Sequence, residues 1–94
     1  MAFSRQKAEV IAAGVLAWLS ADSARLSAFL AATGANPHEL SHALDRPDFL
    51  LAVLDFLMAD EGLLLACCAE LDIPPEHPAQ ARAALPGGAE MHWT

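Results

Sequence analysis

The sequence predicts an all-α fold: a compact bundle of five to six short helices around a central apolar helix pair. Three observations carry that expectation. Alanine (21) and leucine (15) dominate, while valine and isoleucine together number five and tyrosine is absent. β-Branched and aromatic residues favour strands, so their scarcity argues against a sheet. Apolar residues recur at helical spacing, and caps, glycines and prolines interrupt them at short intervals.

The first helix starts at Ser4, a good N-cap residue, and ends near Ser20. Ala8, Ile11, Ala12, Val15, Trp18 and Leu19 form its core stripe. Its other side carries Ala13, Gly14, Ala17 and Ala21, small enough to admit a second helix. Helix propensity alone also accounts for those alanines, and is the plainer reading. Asp22 or Ser23 caps the second helix, which presents Leu26, Phe29 and Leu30 and stops at Gly34. Asn36 and Pro37 open a short third helix to about Leu44. Asp45 stands where the next cap belongs, with Pro47 in the first turn.

The fourth helix, about Pro47 to Ala59, is apolar nearly all round, with a thin stripe of Asp48, Ala52, Asp55 and Ala59. Such a helix belongs in a core or an interface. The fifth, through Leu63, Leu64, Leu65, Cys67, Cys68 and Leu71, is nearly as apolar, and these two are expected at the centre. Asp60 decides whether they are separate. In a continuous helix its carboxylate would fall among Phe56, Leu63 and Leu64, at about 1–3 kcal/mol for an unsatisfied polar group. Broken there, Asp60 becomes an N-cap and Glu61 sits at the favourable dipole end. The break is preferred. Ile73-Pro74-Pro75 ends the pair, and a last helix runs from His77 or Pro78 to Leu85. Pro86-Gly87-Gly88 stops it. Residues 1–88 thus form one domain, and 89–94 a tail whose Trp93 suits a contact, internal or external.

Charge and cysteines narrow the function. Five basic against 12 acidic residues give a net charge of −7, a poor basis for gripping nucleic acid. An apolar fraction of 55% excludes disorder. Cys67 and Cys68 are adjacent and cannot readily bridge each other, so a reducing cytoplasm is the expected compartment. At most one of them is expected to face the core, and no neighbouring cation activates either thiol. The longest apolar run, Val10 to Leu19, is short of the roughly 20 residues of a membrane span, so no membrane partner is expected. With Arg5 and Lys7 before it and Ala21 and Ser23 after, that run mimics a signal peptide. Glu9 and the amphipathic patterning argue against it.

One motif suggests chemistry. His38-Glu39-Leu40-Ser41-His42 matches H-E-x-x-H, in which two histidines one α-turn apart hold zinc and the Glu activates water. Glu61, after an 18-residue gap, has the spacing of a third ligand. A 12-residue helix intervening at about 1.5 Å per residue carries it about 18 Å away, against about 6 Å between the histidines. These three histidine-motif residues are therefore secondary metal candidates. The primary expectation is no catalytic residue, no metal and no cofactor.

Phe49-Leu50-x-x-Val53-Leu54-Asp55-Phe56-Leu57-x-x-Asp60-Glu61-x-Leu63-Leu64 resembles the pattern of a small bacterial, mainly alphaproteobacterial, domain-of-unknown-function family. Phe29-Leu30-x-x-x-Gly34 and the closing Ala81 and Leu85 fit it too, so the resemblance spans about residues 5–85. It implies a cytoplasmic, all-helical protein with no assigned activity. Asp60 and Glu61 are its most specific element, of unknown role; His38 and His42 fall outside it.

The apolar excess points to a non-enzymatic helical protein–protein interaction module, either a homodimer or a groove for another protein's helix. Gly14, Ala17, Phe49, Phe56 and Trp93 are the expected interaction surface. A zinc-dependent hydrolase and a small-ligand carrier with a pocket between the central helices are the alternatives.

Overall fold

A computed structural model describes residues 3–88, so the tail with Trp93 lies outside the described residues. The described chain is all-helical: α1 (Arg5–Ser20), α2 (Ser23–Thr33), a 3-10 helix (Pro37–Asp45), α3 (Pro47–Met58), α4 (Glu61–Leu71) and α5 (His77–Ala84). Ser4 caps α1 by accepting the Lys7 N–H at 3.0 Å. Asp22 caps α2 through the Ala24 and Arg25 N–H groups, and Gly34 ends it at φ +74°, the left-handed conformation glycine adopts freely. Helices α1 and α2 meet at a sharp bend of 116°.

All six residues of the expected α1 stripe are buried. They pack against Phe49, Leu50, Val53, Leu54 and Leu57 of α3, and against Phe29, Ala81 and Leu85 from the surrounding helices. Phe29 sits edge-on to both Phe49 and Phe56, with ring centroids 5.7 and 5.4 Å apart. Edge-to-face packing is the favoured aromatic geometry. Trp18 ties three helices together. Its indole N–H donates to Glu70 of α4 at 3.2 Å, and the Arg25 guanidinium of α2 lies 3.8 Å above its ring.

Four expectations are corrected. The centre is α1 with α3, not α3 with α4. On α4 only Cys67 and Cys68 are buried, and Leu65 is 48% exposed. Its leucines point in several directions, so a single packed face cannot cover them all. Both cysteines are buried rather than one, at 0% and 2% exposure, because small side chains at adjacent positions can both tuck under neighbouring helices. Asp45 does not cap α3. Arg46 takes that place without a side-chain cap, and the proline after it holds its backbone extended at φ −125°, ψ 93°. The segment from Pro37 is a nine-residue 3-10 helix, squeezed between two prolines. At about 2.0 Å per residue it spans about 18 Å, where an α-helix of that length would span about 13.5 Å.

Candidate interaction surface

The 3-10 geometry changes what the histidine motif can do. Four residues of α-helix return to nearly the same face, but four residues at three per turn end about 120° round the axis. His38 and His42 are both exposed, with ring centroids 5.9 Å apart and planes inclined at 70°. Glu39 is engaged elsewhere. Its carboxylate accepts the Asn36 N–H at 2.9 Å while the His38 N–H donates to Asn36 Oδ1 at 2.9 Å, a reciprocal capping box. Arg46 stands 3.8 Å away on its other side. Among the described residues no three His, Cys, Asp or Glu side chains form a metal-ligand group, so Glu61 does not join the histidines.

The Asp60-Glu61 pair has a structural explanation. Asp60 accepts the Leu63 N–H at 3.1 Å and separates α3 from α4, while Glu61 occupies the first turn of α4. Asp55, expected as part of a solvated stripe, instead receives a two-pronged contact from Arg82 of α5. Burial pushes the Cys67 thiol up to about 11, with the neighbouring Cys68 adding to the effect. Desolvation also raises Cys68. Burial thus disfavours the thiolate, the reactive form, at both positions.

Of the expected surface residues, Phe49 is only 7% exposed and belongs to the core. Phe56 is half-buried against Phe29. Gly14 is half-buried and faces Leu71 of α4, where a Cβ would make an ordinary contact at 3.8 Å, so it belongs to an internal packing surface. Ala17 is different. It is exposed, and it lines a groove of about 500 Å³ together with Ala13, Leu16 and Ser20. Leu40, Ser41, Ala43 and Asp45 of the 3-10 helix make the opposite wall. A shallower depression along Gln6, Glu9, Val10 and Ala13 prolongs it toward the start of α1. The outer side of α1 is thus a continuous, mostly apolar face.

That face had a sequence signal beyond its alanines. From Val10 to Ala21 there is no charged residue, although one side of the helix must face outward. Val10 is 66% exposed, the largest exposure of any large apolar side chain among the described residues. Neither Val10 nor the 3-10 wall was singled out by sequence reasoning. The wall depends on a chain path that helical periodicity does not encode.

The described residues thus form an all-helical fold whose α1 bears no charged residue from Val10 to Ser20. The chain belongs to the family described as "Protein of unknown function (DUF3572)", whose model matches residues 5–88. No curated protein and no solved structure matches it. No single helix among the described residues is long and apolar enough to cross a membrane.

Proposed function

We propose that this protein is a non-enzymatic helical protein–protein interaction module acting in a reducing, cytoplasmic setting. One observation carries the reading: the outward side of α1 bears Val10, Ala13, Leu16 and Ala17 where a solvated helix would bear charges. Grooves of this kind receive the apolar side of another helix. Two buried cysteines, neither bridged, suit a reducing compartment. The use of Glu39 in a capping box favours this reading over the zinc hydrolase, whose general base would need that carboxylate free.

Native mass spectrometry of untagged protein, with and without a chelator, tests the proposal. A metal-free assembly that is indifferent to chelator supports it. A monomer carrying one chelator-sensitive zinc overturns it and makes His38, Glu39 and His42 the residues to mutate.

A further inference from the structure

We infer that the outer face of α1 pairs with the same face of a second copy, antiparallel, about a two-fold axis at Ala13. The inference rests on the interaction-module reading and specifies its occupant.

The face is self-complementary about its midpoint. Gln6, Ala13 and Ser20 are spaced seven apart, as are Val10 and Ala17, so both rows stay on one side of the helix. From Gln6 to Ser20 the face is about 21 Å long, four turns. A two-fold at Ala13 sets Gln6 against Ser20 of the second copy, amide to hydroxyl. Val10, the exposed knob, comes within about 1.5 Å of the level of Ala17 of the second copy, the exposed gap on the same side of the helix. Ala13 meets Ala13. Small residues at the crossing let the helix axes approach at the short end of the usual 8–10 Å or so.

Charge favours the same partner. Helix α1 has no acidic residue in its first turn and no basic residue in its last, so its dipole is uncompensated at both ends. Its first turn instead carries Arg5 and Lys7. An antiparallel copy lays that cationic turn beside the partner's carbonyl end. Arg5 precedes Leu16 by eleven residues, about three full turns, so the two share one side of α1. Leu16 and Asp45 line the groove together. The two-fold therefore brings Arg5 of each copy toward Asp45 of the other. Arg5 is paired with Glu9 of its own helix at 3.1 Å, so in the dimer its guanidinium bridges that Glu9 and Asp45 of the other copy. A net charge of −7 also opposes an anionic membrane.

Two variants of the full chain test the geometry. Ala13→Cys places a thiol on the axis, and a disulfide needs Cα atoms roughly 4.4–6.8 Å apart. The native cysteines, 0% and 2% exposed, do not compete. Under mild oxidation with diamide, Ala13→Cys is expected to give a covalent dimer, and Gln80→Cys on exposed α5 is not. Val10→Glu puts a charge against Ala17 and is expected to weaken the wild-type dimer at least about tenfold. Its melting temperature should hold at concentrations where both proteins are monomeric, because the side chain is solvent-exposed in the single chain. Cross-linking of Ala13→Cys no faster than Gln80→Cys, with a dimer that tolerates Val10→Glu, overturns the inference and leaves the module reading standing on another surface. A wild-type monomer that binds phosphatidylcholine–phosphatidylglycerol vesicles, and loses them on Val10→Glu, overturns both.

Discussion

Arg82 of α5 clasps Asp55 of α3 across 27 residues of sequence, its Nε and Nη2 donating to the two carboxylate oxygens. The third arm of the same guanidinium donates to the Gly88 carbonyl at 3.1 Å. One side chain thus fastens α5 to α3 and holds the backbone at Gly88. The Arg82 side chain is 18% exposed and that of Asp55 51%, so the pair is partly screened by solvent. Asp55→Asn is expected to cost about 1 kcal/mol. Arg82→Met should cost more, about 1–2 kcal/mol, because the Gly88 carbonyl also loses its donor. Urea denaturation of both variants checks the order; equal losses would assign no role to the carbonyl contact.

Gly88 is the second half of that fastening. A Cβ on it would stand 1.8 Å from the Arg82 carbonyl oxygen, a contact no side chain tolerates. Gly88→Ala should therefore displace the chain end and cost about 1–3 kcal/mol. Limited proteolysis should show the C-terminal segment cut earlier than in the wild type, with the bundle still folded.

Asp60 separates two helices that hydropathy alone would fuse. Its role as a cap predicts a specific pattern across substitutions. Asp60→Ala loses the bond to the Leu63 N–H and should cost about 0.5–2 kcal/mol, whereas Asp60→Ser keeps a capping oxygen and should cost a few tenths of that scale. A large loss from the serine variant would mean the carboxylate does more than cap.

Phe29 is fully buried and is the shared neighbour of two edge-on rings on α3. Phe29→Ala should cost about 3–5 kcal/mol, while Phe29→Leu, nearer in volume, should cost markedly less. Thermal melts of the two variants give the comparison.

Cys67 makes alkaline stability testable. Its folded thiol titrates at about 11 against an ordinary 9.0, so the folded state keeps a proton that the unfolded state releases. The contribution is complete below pH 9.0 and is lost as pH rises toward about 11. Cys67→Ala should flatten the fall of stability over that window. An unchanged slope would place its cause elsewhere.

Much of this fold was legible because it is written in local chemistry. The stripe from Ala8 to Leu19, the caps at Ser4, Asp22, Asn36 and Asp60, and the stop at Gly34 each depend on a few neighbouring residues. What escaped depends on chain path. Composition makes α3 and α4 look alike, but only contact with α1 decides which is central. Nothing in Pro37–Asp45 announces three residues per turn; the two histidine rings still stand 5.9 Å apart, but among the described residues no third ligand joins them. The groove was half legible. Ala17 was visible as a small residue, while its wall of Leu40, Ser41 and Ala43 comes from another element.

The mostly apolar outer side of α1 is proposed to hold the same face of a second copy. Sedimentation velocity of untagged wild-type protein over a wide concentration series tests it most directly. The pairing predicts a reversible monomer–dimer exchange within that series. The Val10→Glu variant should remain monomeric through that range. A single monomeric species at every concentration, identical in the two proteins, would contradict the account.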